Sequence, residues 1–276
     1  MSPAGRPAFD PSSPRAHRGE PEAVRFVYFD LGNILVSFDR NRVCVAVADL
    51  FGVTTRRADE VLHRGGLQED LEWGRIDEVE FSRRLHDRFL ADGTRLLTDQ
   101  TASRPDVPLA KIRQAISDMF APIEAMSDVV RQVRRLGLPV GILSNTCQAH
   151  WDWVLAQQWD VLAEPFEVAV LSFQVKSMKP DATIYEYAER HAREIAGARP
   201  EQILFVDDRS ENVEAARRRG WRSEVCRRTD QVIGAFQRHQ LPIRNAEDRV
   251  GLAADNAPVI RSGTPDADFA TERRAR

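Results

Sequence analysis

Short apolar runs alternate with segments of helical spacing from residue 127 to residue 239. We predict strands at residues 139–143, 168–171, 202–206 and 222–226, and helices at residues 127–136, 149–158, 181–195, 211–219 and 230–239. Strands that alternate with helices are typical of a parallel sheet with helices on both faces and right-handed connections. The pattern therefore predicts an α/β fold class, a three-layer Rossmann-like parallel sheet.

A further strand is predicted at residues 24–29, where five of the six residues are β-branched or aromatic. This run ends at Asp30, and Gly32 and Asn33 follow shortly after. Glycine and asparagine tolerate unusual backbone angles best, so we expect a turn at this point. Ligands of open parallel sheets bind at the carboxyl ends of the strands. Asp30 is therefore either a ligand-contacting acid or the cap of a loop.

Residues 39–125 show helical spacing, interrupted by a polar loop at residues 91–108, and we find no convincing strand among them. Asp39 or Asn41 is predicted to cap the first helix of this block. Asp77 and Glu80 have the spacing of a capping box and predict the start of a later helix. A helical block between the first strand and the rest of an α/β domain indicates an inserted helical cap.

The two ends of the chain differ in composition from the part between them. The first 23 residues are rich in Pro, Ser, Ala and Arg and lack the apolar stretch of a signal peptide, and the last 34 have little apolar content and no clear period. The predicted layout is a disordered lead at residues 1–23, an α/β core at residues 24–38 and 126–242, a helical cap at residues 39–125 and a disordered tail at residues 243–276.

Charge and cysteine content restrict the partners of the chain. A formal net charge of −3 over 276 residues predicts no nucleic-acid partner and no polybasic membrane contact. The three cysteines are far apart in the sequence, which indicates neither a disulfide framework nor a zinc site and fits a reducing compartment. We expect a cytoplasmic protein, a monomer or homodimer, with a small-molecule partner.

Polar residues follow several of the predicted strands, at the point where each strand ends. These residues are Asp30, Ser144, Asn145, Lys179, Asp207 and Asp208. Taken singly, the serine and asparagine are ordinary turn residues, the lysine is an ordinary surface charge, and the acid pair is an ordinary helix cap. Because the carboxyl ends of parallel strands meet at one edge of the sheet, their joint placement predicts a site there.

The adjacent acids Asp207 and Asp208 are the most informative of these residues. Neighbouring carboxylates repel, and each raises the pKa of the other unless a cation neutralises them. Together with Asp30 they make a hard oxygen site that suits Mg²⁺. Lys179 can balance the remaining negative charge, and Ser144 with backbone amides at a helix start can hold phosphate oxygens. These residue types predict phosphate chemistry.

The ordered set of motifs resembles the haloacid dehalogenase-like (HAD) superfamily of hydrolases. The four motifs read Tyr-Phe-Asp-Leu-Gly-Asn-Ile-Leu-Val at 28–36, Leu-Ser-Asn-Thr at 143–146, Ser-Met-Lys-Pro-Asp at 177–181 and Phe-Val-Asp-Asp-Arg-Ser-Glu-Asn at 205–212. The resemblance covers roughly residues 24–240, including the position of the helical cap. It is most similar to the helical-cap subgroup that includes bacterial glucose-1-phosphate phosphatase and the phosphatase domain of epoxide hydrolase.

The resemblance implies a Mg²⁺-dependent phosphatase with a covalent intermediate. Asp30 would be the nucleophile that attacks phosphorus to form an aspartyl-phosphate, and it would also bind the metal. The backbone carbonyl of Gly32 would be a second Mg²⁺ ligand. Asp208 would bind Mg²⁺ directly. Asp207 would bind it through a water molecule or would hold the direct ligands in place. The expected substrate is a small phosphorylated metabolite similar to a sugar phosphate.

The same resemblance implies the phosphate-binding residues. Ser144 would hold a phosphate oxygen, with Asn145 close to it. Lys179 would bridge Asp30 and the phosphate and share in catalysis. Asn33 and Asn212 would support the site. Metal and lysine together would stabilise the charge on the phosphoryl group during transfer.

One position departs from most phosphatases of this superfamily, which carry an acid two residues after the nucleophile. That acid protonates the leaving oxygen and then activates water, and here the position is Gly32. Three readings stay open: a substrate with a good leaving group, slow turnover in a protein that mainly binds its ligand, or a proton supplied by water or by the cap. The cap candidates are His63, Glu69, Asp70 and Glu72.

Two other functions remain as alternatives. A 2-haloacid dehalogenase also uses an aspartate nucleophile and needs no leaving-group acid. It does not use Mg²⁺, however, so it has no need for the pair Asp207–Asp208. A non-catalytic phospho-ligand-binding protein on the same scaffold would be suggested by loss of Asp30, Lys179 or Asp208, and all three are present.

Overall fold

The computed structural model describes residues 22–90 and 107–245. Five parallel strands form the central sheet, in the order β5-β4-β1-β6-β7. They are β1 (Phe26–Phe29), β4 (Val140–Ser144), β5 (Val168–Leu171), β6 (Ile203–Asp207) and β7 (Arg222–Val225), and a separate antiparallel pair consists of β2 (Val36–Phe38) and β3 (Phe120–Pro122). The predicted α/β fold class is confirmed, and β1 is the central strand.

Eleven α-helices lie within the described residues. They are α1 (Arg40–Phe51), α2 (Thr55–Asp59), α3 (Leu67–Glu72), α4 (Glu78–Leu90), α5 (Leu109–Ser117), α6 (Glu124–Arg135), α7 (Gln148–Ala156), α8 (Ser172–Val175), α9 (Ala182–Ala196), α10 (Ser210–Arg218) and α11 (Thr229–Arg238). A π-helical turn, Glu60–Arg64, follows α2 directly. In the described ranges no helix combines the length and apolar character needed to cross a membrane.

Alternate residues of β1 point to opposite faces of the sheet, and this builds the three layers. Val27 and Phe29 belong to a buried cluster that includes apolar residues of α6 and α11. Phe26 and Tyr28 belong to a second cluster, with residues of α9 and α10. All four side chains are fully buried, as a central parallel strand requires. Both faces of the sheet are therefore covered, and only its strand ends are available for a ligand.

The residues between β2 and β3 form a third buried cluster, built mainly from α1 to α5. Asp39 caps α1 by accepting from the backbone N–H of Asn41, and Gly52 ends it with a φ of 64°. Asp77 accepts from the backbone N–H of Glu80 at 2.8 Å, as the capping box predicted. This helical unit is joined to the sheet domain through the β2–β3 pair.

Three expectations about this region and its borders were wrong. The stretch without strands contains β3, because Phe120 pairs with Phe38 across 82 residues and no local pattern encodes that pairing. Helix α3 was missed, since six residues are too few for a clear period. Ile243, placed in the tail, is 1% exposed and packs in the core. Three predicted segments lie mostly outside the described residues. They are the rest of the tail, the lead and the polar loop at residues 91–108.

Candidate active site

The predicted site residues lie at one edge of the sheet. Asp30 follows β1, Ser144 ends β4 and Asp207 ends β6, and these three strands are neighbours. Lys179 lies on the connection between α8 and α9, which follows the adjacent strand β5. Asp30, Ser144, Lys179 and Asp208 line one cavity of about 160 Å³. The strand order thus brings together groups that are up to 178 residues apart in sequence.

Lys179 is the centre of the buried charges. Its Nζ lies 2.8 Å from Asp30 Oδ1 and 2.6 Å from Asp207 Oδ2, and it donates to the Leu143 carbonyl at 2.7 Å. Its side chain is only 1% exposed. Burial by itself would lower the pKa of Lys179, but Asp207 and Asp30 outweigh burial and hold that pKa above its ordinary value. The lysine therefore stays charged.

Asn145 fixes the position of this lysine. Its Nδ2 donates to the Lys179 carbonyl at 2.8 Å, and its Oδ1 accepts from the Lys179 backbone N–H at the same distance. Both ends of the amide are therefore engaged with the main chain of one residue. This contact makes Asn145 a positioning residue for Lys179; a direct contact with phosphate stays a prediction.

The two adjacent acids have different surroundings. Asp207 is fully buried and accepts from Lys179, from the Arg209 backbone N–H and from Asn212 Nδ2, which lies 3.0 Å from both carboxylate oxygens. Asp208 is half-buried, and its Oδ2 accepts from Asn33 Nδ2 at 2.9 Å. Asp207 is saturated by protein donors, whereas Asp208 faces the cavity.

Asp30 is the third acid of the site. Burial, with help from Asp207 and Asp208, raises its pKa from 3.8 to about 7 even though Lys179 opposes the shift. Oxygen atoms of Asp30, Asp207 and Asp208 all lie within 4.8 Å of one another. Carboxylate oxygens at this spacing are the donor set of a hard divalent cation, which would also relieve their mutual repulsion. The residues present fit Mg²⁺.

Of the two turn residues after Asp30, Asn33 has the unusual backbone angle and Gly32 does not. Asn33 adopts the left-handed conformation, with a φ of 57°. A Cβ at Gly32 would lie 3.0 Å from Cε1 of Phe38. The glycine therefore allows the close approach of the Phe38 ring, and an acid at this position would need that ring, which is 36% exposed, to shift by a few tenths of an ångström.

Ser144 is buried at the end of β4, and its Oγ lies 3.5 Å from the Asn145 carbonyl. That contact is at the limit of a hydrogen bond, so the hydroxyl can turn toward a ligand in the cavity. Its predicted role on a phosphate oxygen is compatible with this position.

The four cap candidates for a proton donor separate clearly in space. Asp70 pairs with Arg75 and Arg84, 3.2 and 3.5 Å away. Glu69 and His63 reach only a second, adjacent cavity of about 440 Å³, and burial lowers the pKa of His63. Glu72 lines both cavities, together with Phe38 and the buried His150. Of the four, Glu72 alone shares a cavity with Asp30.

Several residues near the site were not identified from the sequence. Gln68 and His150 lie beside Glu72, and the Ser172 hydroxyl donates to the Glu72 carbonyl at 2.6 Å. Ser172 also accepts from the Thr146 backbone N–H. Gln68 and Glu72 lie on α3. The sequence indicates this helix only through Leu67 and Leu71, which follow two glycines and have the i, i+4 spacing of one helix face.

The family model described as haloacid dehalogenase-like hydrolase matches residues 24–220. A D-ribitol-5-phosphate phosphatase from Bacteroides thetaiotaomicron is 24% identical over 203 residues, which are 72% of this chain and 89% of that protein. An (S)-2-haloacid dehalogenase from Pseudomonas putida is 29% identical over 116 residues, 41% of this chain and 48% of the dehalogenase. Relatives with two different activities thus match the chain.

Solved structures share the fold. A HAD family enzyme from Bacteroides thetaiotaomicron, in complex with magnesium and inorganic phosphate, is similar with a TM-score of 0.60 and 22% identity over 74% of this chain and 94% of the other. A protein from Porphyromonas gingivalis described as a predicted HAD-like family hydrolase is similar with a TM-score of 0.57 and 25% identity over 79% of this chain and 98% of the other. The arrangement of sheet and helices is therefore that of HAD family proteins.

Proposed function

This chain belongs to the haloacid dehalogenase-like hydrolases, and from that membership we propose that it is a Mg²⁺-dependent phosphatase of small phosphorylated metabolites similar to sugar phosphates. The observation that carries the proposal is the trio Asp30, Asp207 and Asp208, with oxygens within 4.8 Å of one another beside one buried lysine. A D-ribitol-5-phosphate phosphatase among the relatives supports the same reaction class.

Each residue has a part in the proposed reaction. Asp30 attacks phosphorus, and an aspartyl-phosphate forms as the bond to the leaving oxygen breaks; water then releases inorganic phosphate. Lys179 keeps Asp30 oriented and offers positive charge to the phosphoryl oxygens, and Ser144 donates to one of them. Asp30, Asp208 and the Gly32 carbonyl would hold Mg²⁺, with Asp207 behind them. The metal would supply positive charge against the phosphoryl oxygens.

A dehalogenase is the second candidate, because a haloacid dehalogenase is among the relatives and Gly32 leaves the usual acid position empty. The acid pair favours the phosphatase. A reaction that uses no metal would leave three carboxylates, Asp30, Asp207 and Asp208, within 4.8 Å of one another with fewer positive charges than they need.

The test is a screen of phosphorylated metabolites with Mg²⁺ and with EDTA, comparing wild type with Asp30→Asn. We expect turnover that needs both Mg²⁺ and Asp30. Metal-independent release of halide from a 2-haloacid would support the dehalogenase instead. Ligand binding without any turnover dependent on Asp30 would support a non-catalytic binding protein.

A further inference from the structure

We propose that Glu72 of the cap is the general acid and general base of the reaction, in place of the carboxyl group that Gly32 lacks. The inference rests on the proposed phosphatase function, and it names the residue that protonates the leaving alcohol. Glu72 is the last residue of α3 and lines the cavity that also contains Asp30, Ser144 and Lys179.

Hydrogen bonds from the sheet domain hold the main chain of Glu72 in place. Its carbonyl accepts from the Ser172 hydroxyl at 2.6 Å, and Ser172 is fully buried at the end of β5. The same hydroxyl oxygen accepts from the Thr146 backbone N–H at 2.9 Å. Thr146 follows Asn145, the residue that clamps Lys179. The cap acid and the catalytic lysine are thus positioned from the same loop.

The usual position for the acid is crowded in this chain. The Phe38 ring lies beside residue 32, with Cε1 3.0 Å from an added Cβ. Phe38 also lines both cavities, as does Glu72. The ring therefore lies against the position of the missing acid, and the cap contributes another acid, Glu72, to the lining of the same cavity.

The surroundings of Glu72 suit a group that both gives and takes a proton. Burial raises its pKa from 4.5 to about 7, while a hydrogen bond from Gln68 and the charges of Arg40 and Arg209 oppose the shift and Glu69 adds to it. A general acid–base group is most effective with a pKa near the working pH. Both protonation states are then populated near neutrality.

Gln68 supplies a second observation that points to a ligand. The residue is 8% exposed, and its Nε2 donates to Glu72 Oε1 at 3.0 Å and lies 3.4 Å from His150 Nε2. Its Oε1 is buried and has no hydrogen-bond partner among the residues that the structure describes. Buried acceptors are rarely left unpaired. Gln68 lines the adjacent cavity of about 440 Å³, which Glu72 also lines, so the leaving alcohol would lie there with a hydroxyl on this oxygen.

His150 does not compete for the role. It is 3% exposed, and burial lowers its pKa to about 4, so the ring is neutral at the working pH. A neutral imidazole accepts a proton poorly at that pKa and cannot act as an acid near pH 7. The ring acts with Gln68 to fix the side chain of Glu72.

The proposed steps balance. As the bond from Asp30 to phosphorus forms and the bond to the leaving oxygen breaks, the protonated Glu72 carboxyl transfers its proton to that oxygen. The alcohol leaves, and Glu72 is then a carboxylate. It accepts a proton from water as the water oxygen bonds to phosphorus and the bond to Asp30 breaks. Inorganic phosphate leaves, and Glu72 and Asp30 return to their starting states.

The test compares Glu72→Gln with wild type on an alkyl and an aryl phosphate, D-ribitol 5-phosphate and 4-nitrophenyl phosphate, in Mg²⁺. Loss of the acid should lower kcat/KM for the alkyl phosphate by about 10²–10⁴-fold, because an alkoxide leaves poorly without a proton. The aryl phosphate needs no acid, so its first step should persist. The absent base should then slow the second step and give a burst of one nitrophenol for each enzyme molecule.

Asp70→Asn is the matched control, since Asp70 is on the same helix and its partially exposed ion pairs stabilise little; we expect activity within about twofold of wild type. Thermal unfolding of both variants verifies that they are folded. An equal loss of kcat/KM on both substrates, with no burst of nitrophenol, would assign Glu72 a structural role and overturn the inference. Unchanged alkyl turnover would also overturn it and leave the phosphatase intact. Absence of Asp30-dependent turnover in wild type would overturn the proposed function and this inference together.

Discussion

Lys179 Nζ lies 2.8 Å from Asp30 Oδ1, and both side chains are withdrawn from solvent. The same nitrogen lies 2.6 Å from Asp207 Oδ2, so a single positive charge serves two buried carboxylates. The site holds one more negative charge than these groups can balance, and Asp208 adds another. This excess is the physical reason that a divalent cation fits here.

The first prediction concerns this lysine. Lys179→Met should lower the free energy of unfolding by about 3–5 kcal/mol at pH 7, because two buried carboxylates lose the cation that lies at hydrogen-bond distance from both. Urea unfolding in EDTA and in Mg²⁺ measures the change. Mg²⁺ should recover part of the loss. A variant that is equally stable with and without Mg²⁺ would argue against metal binding by these acids.

The second prediction concerns pH. Burial raises the pKa of Asp30 from 3.8 to about 7, so the folded protein binds this proton more tightly than the unfolded chain does. The contribution of this group to the free energy of unfolding is largest below pH 3.8, and it is lost as the pH rises through about 7. Asp30→Asn should therefore abolish turnover yet raise the Tm of the metal-free protein at pH 8. Calorimetry at pH 5 and pH 8 measures this, and an equal Tm difference at both pH values would contradict it.

The third prediction concerns the contact between Gly32 and Phe38. Gly32→Ala should cost about 1 kcal/mol, because the added Cβ would lie 3.0 Å from the ring. The cost should vanish in the background Phe38→Ala, where the ring is absent. A double-mutant cycle by urea unfolding measures the coupling. If Gly32→Ala lowered the free energy of unfolding equally with and without the Phe38 ring, the effect would come from the backbone rather than from the ring.

The fourth prediction concerns the residue behind the acid pair. Asn212 Nδ2 donates to both oxygens of Asp207, so Asn212→Ala should leave a buried carboxylate without its amide partner. We expect a loss of about 1–3 kcal/mol in stability and of about 10–100-fold in Mg²⁺ affinity. Isothermal titration with Mg²⁺ measures the second effect. Ser210→Ala, on the exposed start of the same helix, is the control and should leave the affinity unchanged.

Local patterns predicted the parts of the fold that local forces determine. Buried strands such as β1 are read from consecutive apolar residues, and the start of α1 is read from Asp39 because a cap acts on its own helix. The strand β3 and the helix α3 were missed for the opposite reason. The first depends on pairing with a distant strand, and the second is too short to show a period.

The acids, the lysine and the serine of the site could be identified from the sequence because each follows a recognisable strand or precedes a helix. Their distances could not, and neither could the clamp from Asn145 to the main chain of Lys179. Among four acidic or basic cap candidates the sequence offered no choice. The structure separates them, because only Glu72 reaches the cavity of Asp30.

The α/β class, the order of the motifs and the chemical types at the strand ends follow from patterns within a few residues, so they can be read from the amino-acid sequence. The contact of Phe38 with Gly32 and the position of Glu72 in the lining of the cavity are visible only in the folded protein. The first depends on the turn that follows β1 and on the pairing of β2 with β3, and the second depends on how the cap packs against the sheet domain. No local periodicity records either one.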